Sequence, residues 1–96
     1  SPRGGKPVSY RILLVDDDRE NLIANEALLR AKGYQVKTVQ SGQEAIDTIK
    51  AAKKDYALIL MDYHMVGMSG AEAVAEIKKI KPNQLMIASS LRDLRY

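Results

Sequence analysis

The sequence predicts an α/β domain, a doubly wound parallel sheet of four strands in the order 2-1-3-4. Three observations carry that prediction. Short apolar runs alternate with amphipathic segments over the 96 residues, in the order β-α-β-α-β-α-β with short connections, and such alternation means parallel strands joined by right-handed helical crossovers. The runs around residues 13 and 59 are apolar throughout, as strands buried on both faces are. The run near residue 36 is half polar, which suits an edge.

Taken in order, residues 1–9 hold two Pro and two Gly without a periodic pattern. They read as a linker or flexible tail, leaving 10–96 as the domain. With Ser at position 1, the chain reads as an excerpt of a longer one. Residues 11–15, Arg-Ile-Leu-Leu-Val, form the first strand. Residues 19–32 follow as a helix, with Ile23, Ala27 and Ala31 at i, i+4 and i+8 and Leu22, Leu28 and Leu29 widening the stripe. Gly33 stands where a helix C-terminal cap belongs. Residues 34–39 alternate apolar and polar, as an edge strand does.

Ser41 and Glu44 have the spacing of a capping box. The helix they open buries Ala45, Ile49 and Ala52, and Lys50, Lys53 and Lys54 lie near its end, where cations suit the helix dipole. Residues 56–61 are the second buried strand, closed by Asp62. Gly67 and Gly70 punctuate a loop, and a helix over 70–80 carries Val74, Ile77 and Ile80 on one face. Pro82-Asn83 marks a turn, 85–88 a fourth strand, and 91–96 the start of a further helix. This is the flavodoxin-like order, with the strand near 36 outside the first and the first beside the third.

Composition narrows the function classes. Hydrophobic residues at 46% and charged residues at 28% exclude disorder and collagen. No cysteine excludes a disulfide framework and a thiolate zinc site. The longest apolar run, residues 57–61, is far short of the ~20 residues of a membrane helix. A cytoplasmic setting without membrane insertion is therefore expected. The net charge of +3 comes from scattered bases not interleaved with aromatics. The lysines read as solvated helix ends, and no nucleic-acid contact is expected.

The acids are the unusual feature. Asp16, Asp17 and Asp18 are consecutive at the end of the first strand, and Asp62 closes the third. Neighbouring parallel strands would bring Asp16, Asp17 and Asp62 to one C-terminal edge, where open α/β sheets bind ligands. Three carboxylates in one place cannot all stay ionised and unpaired. Mg²⁺, which takes one or two carboxylates plus water and phosphate oxygens, answers that, and with it a phosphoryl transfer to a carboxylate. The plainer alternative is that strand-end acids cap the next helix, a role Asp18 suits if it does not simply face solvent. A catalytic imidazole at His64 and a Met-based partner surface at Met61, Met65 and Met68 are both disfavoured.

Residues 12–17, Ile-Leu-Leu-Val-Asp-Asp, and 60–70, Leu-Met-Asp-Tyr-His-Met-Val-Gly-Met-Ser-Gly, resemble the receiver (response regulator) domain of two-component and hybrid histidine kinase signalling. The similarity runs from about Tyr10 to Leu91. It implies that Asp62 is the phosphoryl acceptor, that Asp17 ligates Mg²⁺ directly and Asp16 through water, and that the His64 backbone carbonyl is the third protein ligand. The serine that hydrogen-bonds the phosphoryl group falls on Ser90 by counting from Asp62, with Ser89 next. The implied partner is a histidine kinase or histidine phosphotransfer protein. No independent enzyme is implied beyond self-catalysed phosphotransfer and dephosphorylation, whether the domain stands in a regulator or in a hybrid kinase.

Two departures stand out. Val66 takes the place of the family's usual proline, which removes a φ restraint from the loop. The resemblance also implies a final helix-strand-helix, with a lysine closing its strand, and the sequence reaches Tyr96 first. The expectation is a C-terminally truncated receiver: either part of a longer one, or a chain that forms a homodimer through an exposed sheet edge or face. A receiver-like interaction module that is never phosphorylated is the competing function. A haloacid-dehalogenase-type phosphatase is a poorer fit, because His64 stands where that family needs a second Asp. A dinucleotide site fits worse still, since the first loop is acidic and has no Gly-rich cradle.

Overall fold

The computed structural model describes residues 10–62 and 70–89. The expected tail over 1–9, the loop residues His64, Met65, Val66, Gly67 and Met68, and Ser90 with the segment 91–96 lie outside the described residues. The elements are β1 (Arg11–Val15), α1 (Arg19–Ala31), β2 (Gln35–Val39), α2 (Gly42–Ala51), β3 (Leu58–Asp62), α3 (Gly70–Ile80) and β4 (Met86–Ser89). The strands are parallel and ordered β2-β1-β3-β4, as the apolar pattern predicts.

The period of two along a strand sends alternate side chains to opposite faces, and β1 and β3 use both. On one face Leu13, Val15, Ile59 and Met61 pack with Ala45, Ile46 and Ile49 of α2 and with Ala73 and Ile77 of α3. On the other, Ile12, Leu14, Val36 and Leu60 pack with Leu22 and Leu29 of α1. Asp16 and Asp62 lie two residues beyond Leu14 and Leu60, so the alternation places both toward the α1 side.

Helix α1 corrects the expected stripe. Its buried residues are Asn21, Leu22, Asn25 and Leu29, whereas Ile23 is 58% exposed and Ala27 and Ala31 face solvent. Burying a leucine is worth about 1.5–3 kcal/mol, and Leu22 with Leu29 outweighs one isoleucine and two small alanines. The helix starts at Asp18, whose side chain accepts from the N–H groups of Glu20 at 3.0 Å and Asn21 at 3.2 Å. It ends at Gly33, whose φ of 98° turns the chain while its N–H donates to the Arg30 carbonyl at 2.9 Å.

The capping box of α2 forms with a shift. Ser41 Oγ accepts from the Glu44 N–H at 3.0 Å, and Glu44 Oε2 accepts from the N–H of Gln40 at 3.2 Å rather than from that of Ser41. Ile46 joins Ala45 and Ile49 in the core, while Ala52 packs at its margin with Val74 and Ile80. Among the described residues β4 lies at the sheet edge, with Ile87 in it 48% exposed and Leu85 just before it 63% exposed. Among the described residues no helix is long and apolar enough to cross a membrane.

Candidate functional site

Each strand of the central pair ends in an acid. The register pairs Val15 with Met61, so the next residues, Asp16 and Asp62, reach the C-terminal edge at one level. Asp17 follows as the chain turns toward α1. One carboxylate oxygen from each of Asp16, Asp17 and Asp62 lies within 4.8 Å of the others. The juxtaposition read from the apolar runs is thus present. Asp18 stands apart as the cap of α1, which decides between the two roles open to it.

The three acids differ in environment. Asp16 is fully buried, Asp62 is 9% exposed and Asp17 is exposed. Asp16 Oδ1 accepts from the Asp18 N–H at 2.9 Å. Its Oδ2 is buried without a hydrogen-bond partner among the described residues. Burial, and then the charge of Asp62, push the Asp16 carboxyl above its usual range; the Asp18 N–H and the Asn21 side chain work in the opposite direction. A buried oxygen without a donor, next to two further carboxylates, is a donor set for a hard cation. Carboxylate oxygens are the ligands that Mg²⁺ and Ca²⁺ take, and a cation relieves the like-charge repulsion. The residues present therefore fit a divalent cation.

Two further residues belong to the setting. Ser89 is the Cα partner of Asp62 across the β3–β4 pair. Of the two serine positions, Ser89, the second choice, thus stands on the strand beside Asp62, while Ser90, the first choice, and His64 fall outside the described residues. Asn21, which the reading for apolar periodicity passed over, is 5% exposed in the first turn of α1 and its amide acts on Asp16. The signal available in the sequence was two asparagines four residues apart, Asn21 and Asn25, which share one helix face.

Comparison with known proteins agrees with this geometry. Residues 12–94 match the response regulator receiver domain family. The transcriptional regulatory protein ZraR of Klebsiella oxytoca is 38% identical over 72 residues, which are 75% of this chain and 16% of that protein. The chain thus spans about one sixth of the length of this curated relative. The crystal structure of the response regulator TrrA from Thermotoga maritima in complex with Mg²⁺-BeF superposes with a TM-score of 0.77 at 33% identity, over 82% of this chain and 67% of that one. TrrA in its complex with the histidine kinase ThkA gives 0.75 at 33% identity, over 84% of this chain and 68% of that one.

Proposed function

The chain belongs to the response regulator receiver domain family, and from that membership we propose that it is a phosphoacceptor signalling module whose acceptor is Asp62. The observation that carries the proposal is the convergence of the Asp16, Asp17 and Asp62 carboxylates within 4.8 Å at the end of the central strands. An oxygen of Asp62 attacks the phosphorus of a phosphohistidine on a histidine kinase or histidine phosphotransfer protein. The P–O bond forms as the P–N bond breaks, and its electron pair leaves with the imidazole, which the proton on its second nitrogen makes a neutral leaving group. TrrA, with its kinase complex, supports a partner of that class.

Asp16, Asp17 and Asp62, with the backbone carbonyl of His64, would hold Mg²⁺. When bound, the ion neutralises charge on the phosphoryl oxygens. The hydroxyl of Ser90, or of Ser89, hydrogen-bonds the transferred group, and water later hydrolyses the acyl phosphate. The near-burial of Asp62 limits that water and favours a signal that lasts. A partner that draws its phosphoryl group from ATP puts the reaction in the cytoplasm. The test is incorporation of acid-labile, hydroxylamine-sensitive phosphate from a phosphorylated donor. Asp62→Asn is expected to abolish it, and labelling that survives this substitution refutes the assignment.

The second reading is association. Leu85 and Ile87 are exposed at the β4 edge, and exposed apolar edge strands pair with other chains. Within this proposal a second copy of the chain covers that edge.

A further inference from the structure

We propose that Arg11, Arg30 and Lys37 form an anion site that takes a small soluble phosphomonoester, at the opposite end of the sheet from the acidic trio. The site is independent of the cation site and of phosphoryl transfer to Asp62.

The register of the β1–β2 pair sets its geometry. Arg11 stands opposite Gln35, and Leu13 opposite Lys37. Arg11 and Lys37 are therefore diagonal neighbours on one face of the sheet, within reach of each other's long side chains. Arg30 comes from the last turn of α1 and rounds the strand edge. Its Nη2 donates to the Val36 carbonyl, between Gln35 and Lys37, at 2.7 Å. The three cations, with Gln35, Val36 and Tyr56, line one cavity of about 270 Å³. Among the described residues no acid lines it.

Like charges gathered round one cavity repel one another, so the arrangement calls for a counter-charge. Glu26 supplies one to Arg30 alone, at 2.9 Å. Asp47 lines an adjoining cavity, which shares Arg11, Lys37 and Tyr56, and its Oδ1 accepts from Gln43 Nε2 at 3.0 Å. Lys37 is in no ion pair among the described residues. Both guanidiniums are also held in advance. Arg11 lies 4.2 Å from the centroid of the buried Tyr56 ring, and its Nη1 donates to the Lys54 carbonyl at 3.1 Å. Arg30 is fixed between Glu26 and the Val36 carbonyl. A ligand thus meets side chains whose ordering cost is already met. Their remaining N–H donors form the planar fork that matches phosphate oxygens.

The excess of positive charge selects a dianion over a carboxylate. A phosphomonoester carries about −1.5 to −2 charge at neutral pH and three acceptor oxygens. Pockets for small molecules start at about 300 Å³, so this cavity suits a compact ligand and not a polymer.

The experiment titrates the 96-residue chain with glycerol 3-phosphate and with acetate, at constant ionic strength and in chelator, and follows amide and arginine Nε–H signals. Glycerol 3-phosphate is expected to shift Arg11, Gln35, Val36 and Lys37 saturably and to bind more tightly than acetate. Lys37→Ala is expected to weaken that binding by about 10-fold, the scale of one charge-assisted hydrogen bond, with the melting temperature unchanged. Lys79→Ala removes the same charge from α3 and is expected to leave binding unchanged.

Equal losses from Lys37→Ala and Lys79→Ala mean diffuse attraction to a basic chain and overturn the proposal. Acetate that binds as tightly as glycerol 3-phosphate overturns it too, as does the absence of a saturable shift. Cosedimentation with phosphatidylcholine vesicles carrying phosphatidic acid, without binding of glycerol 3-phosphate, assigns the phosphate to a lipid headgroup and overturns the soluble ligand.

Discussion

Asp62 and Ser89 are Cα partners on neighbouring parallel strands, so the proposed acceptor and a serine stand at the same level of the sheet. Strand β4 begins one residue later than its apolar run suggests, at Met86 rather than Leu85. The strand therefore includes Ser89, and Ser90 lies outside the described residues. Counting along the sequence from Asp62 assigns the hydroxyl that bonds the transferred phosphoryl group to Ser90, with Ser89 next. Ser90→Ala is expected to slow phosphorylation of Asp62 on the order of 100-fold, the scale of losing one donor to a developing oxyanion. Ser89→Ala is expected to stay within a few-fold of the parent. Rapid-quench phosphotransfer with each variant separates them, and a larger effect at Ser89 moves the assignment by one residue.

The buried carboxylate of Asp16 predicts an unusual pH dependence. Burial and the charge of Asp62 raise its folded-state pKa above the ordinary 3.8. Between 3.8 and the raised value the folded chain binds more protons than the unfolded chain, so the free energy of unfolding falls as pH rises. The contribution of Asp16 is fully favourable below that window and lost above it. In chelator at neutral pH, Asp16→Asn is therefore expected to be more stable than the parent, with the gap closing under acid conditions. Saturating Mg²⁺ is expected to stabilise the parent and leave the variant unmoved. Urea unfolding at several pH values measures both, and a parent more stable than Asp16→Asn in chelator at neutral pH contradicts the electrostatic account.

Helix α1 supplies a test of packing. Leu22 is 4% and Ile23 58% exposed, although the two are adjacent and similar in size. Leu22→Ala is expected to cost about 2–5 kcal/mol, as truncation of a buried leucine does. Ile23→Ala is expected to change stability by no more than about 0.5 kcal/mol, as substitutions of exposed residues do. Chemical denaturation of both variants decides which face of the helix is inside, and comparable losses at the two positions would place the helix in a different rotation.

That helix also marks the boundary of what the sequence makes legible. The centre of the sheet was plain, because residues 12–15 and 58–61 are apolar without interruption and only a strand covered on both faces tolerates that. The acidic trio followed from it: once those two strands are neighbours, Asp16, Asp17 and Asp62 have nowhere to go but one edge. The rotation of α1 was not legible by apolar periodicity, since Asn21 and Asn25 interrupt the buried face while Ile23, Ala27 and Ala31 mimic one on the solvent side. A search for apolar spacing rejects a face lined with amides. The choice between Ser89 and Ser90 was open for a related reason, because β4 is an edge strand and its pattern sets the boundary only to within a residue.

The two edges of the sheet differ, and the difference yields the last prediction. At β2 the Arg30 guanidinium donates to the Val36 carbonyl at 2.7 Å, and Lys37 stands exposed on the same strand. Charged side chains on an edge discourage pairing with another chain. Among the described residues β4 carries no such charge: residues 85–89 are uncharged, and Leu85, just before the strand, and Ile87, within it, are exposed. Association of the 96-residue chain is thus expected through β4 and not through β2. Sedimentation equilibrium is expected to show a dimer that Ile87→Lys shifts toward monomer, since a buried ammonium at the pairing edge has no partner. Lys37→Ala is expected to leave the dimer unchanged. A parent chain that sediments as a monomer at concentrations on the order of 100 μM, weaker than the ~5 kcal/mol that such a dissociation constant represents, rules the edge out as a pairing surface.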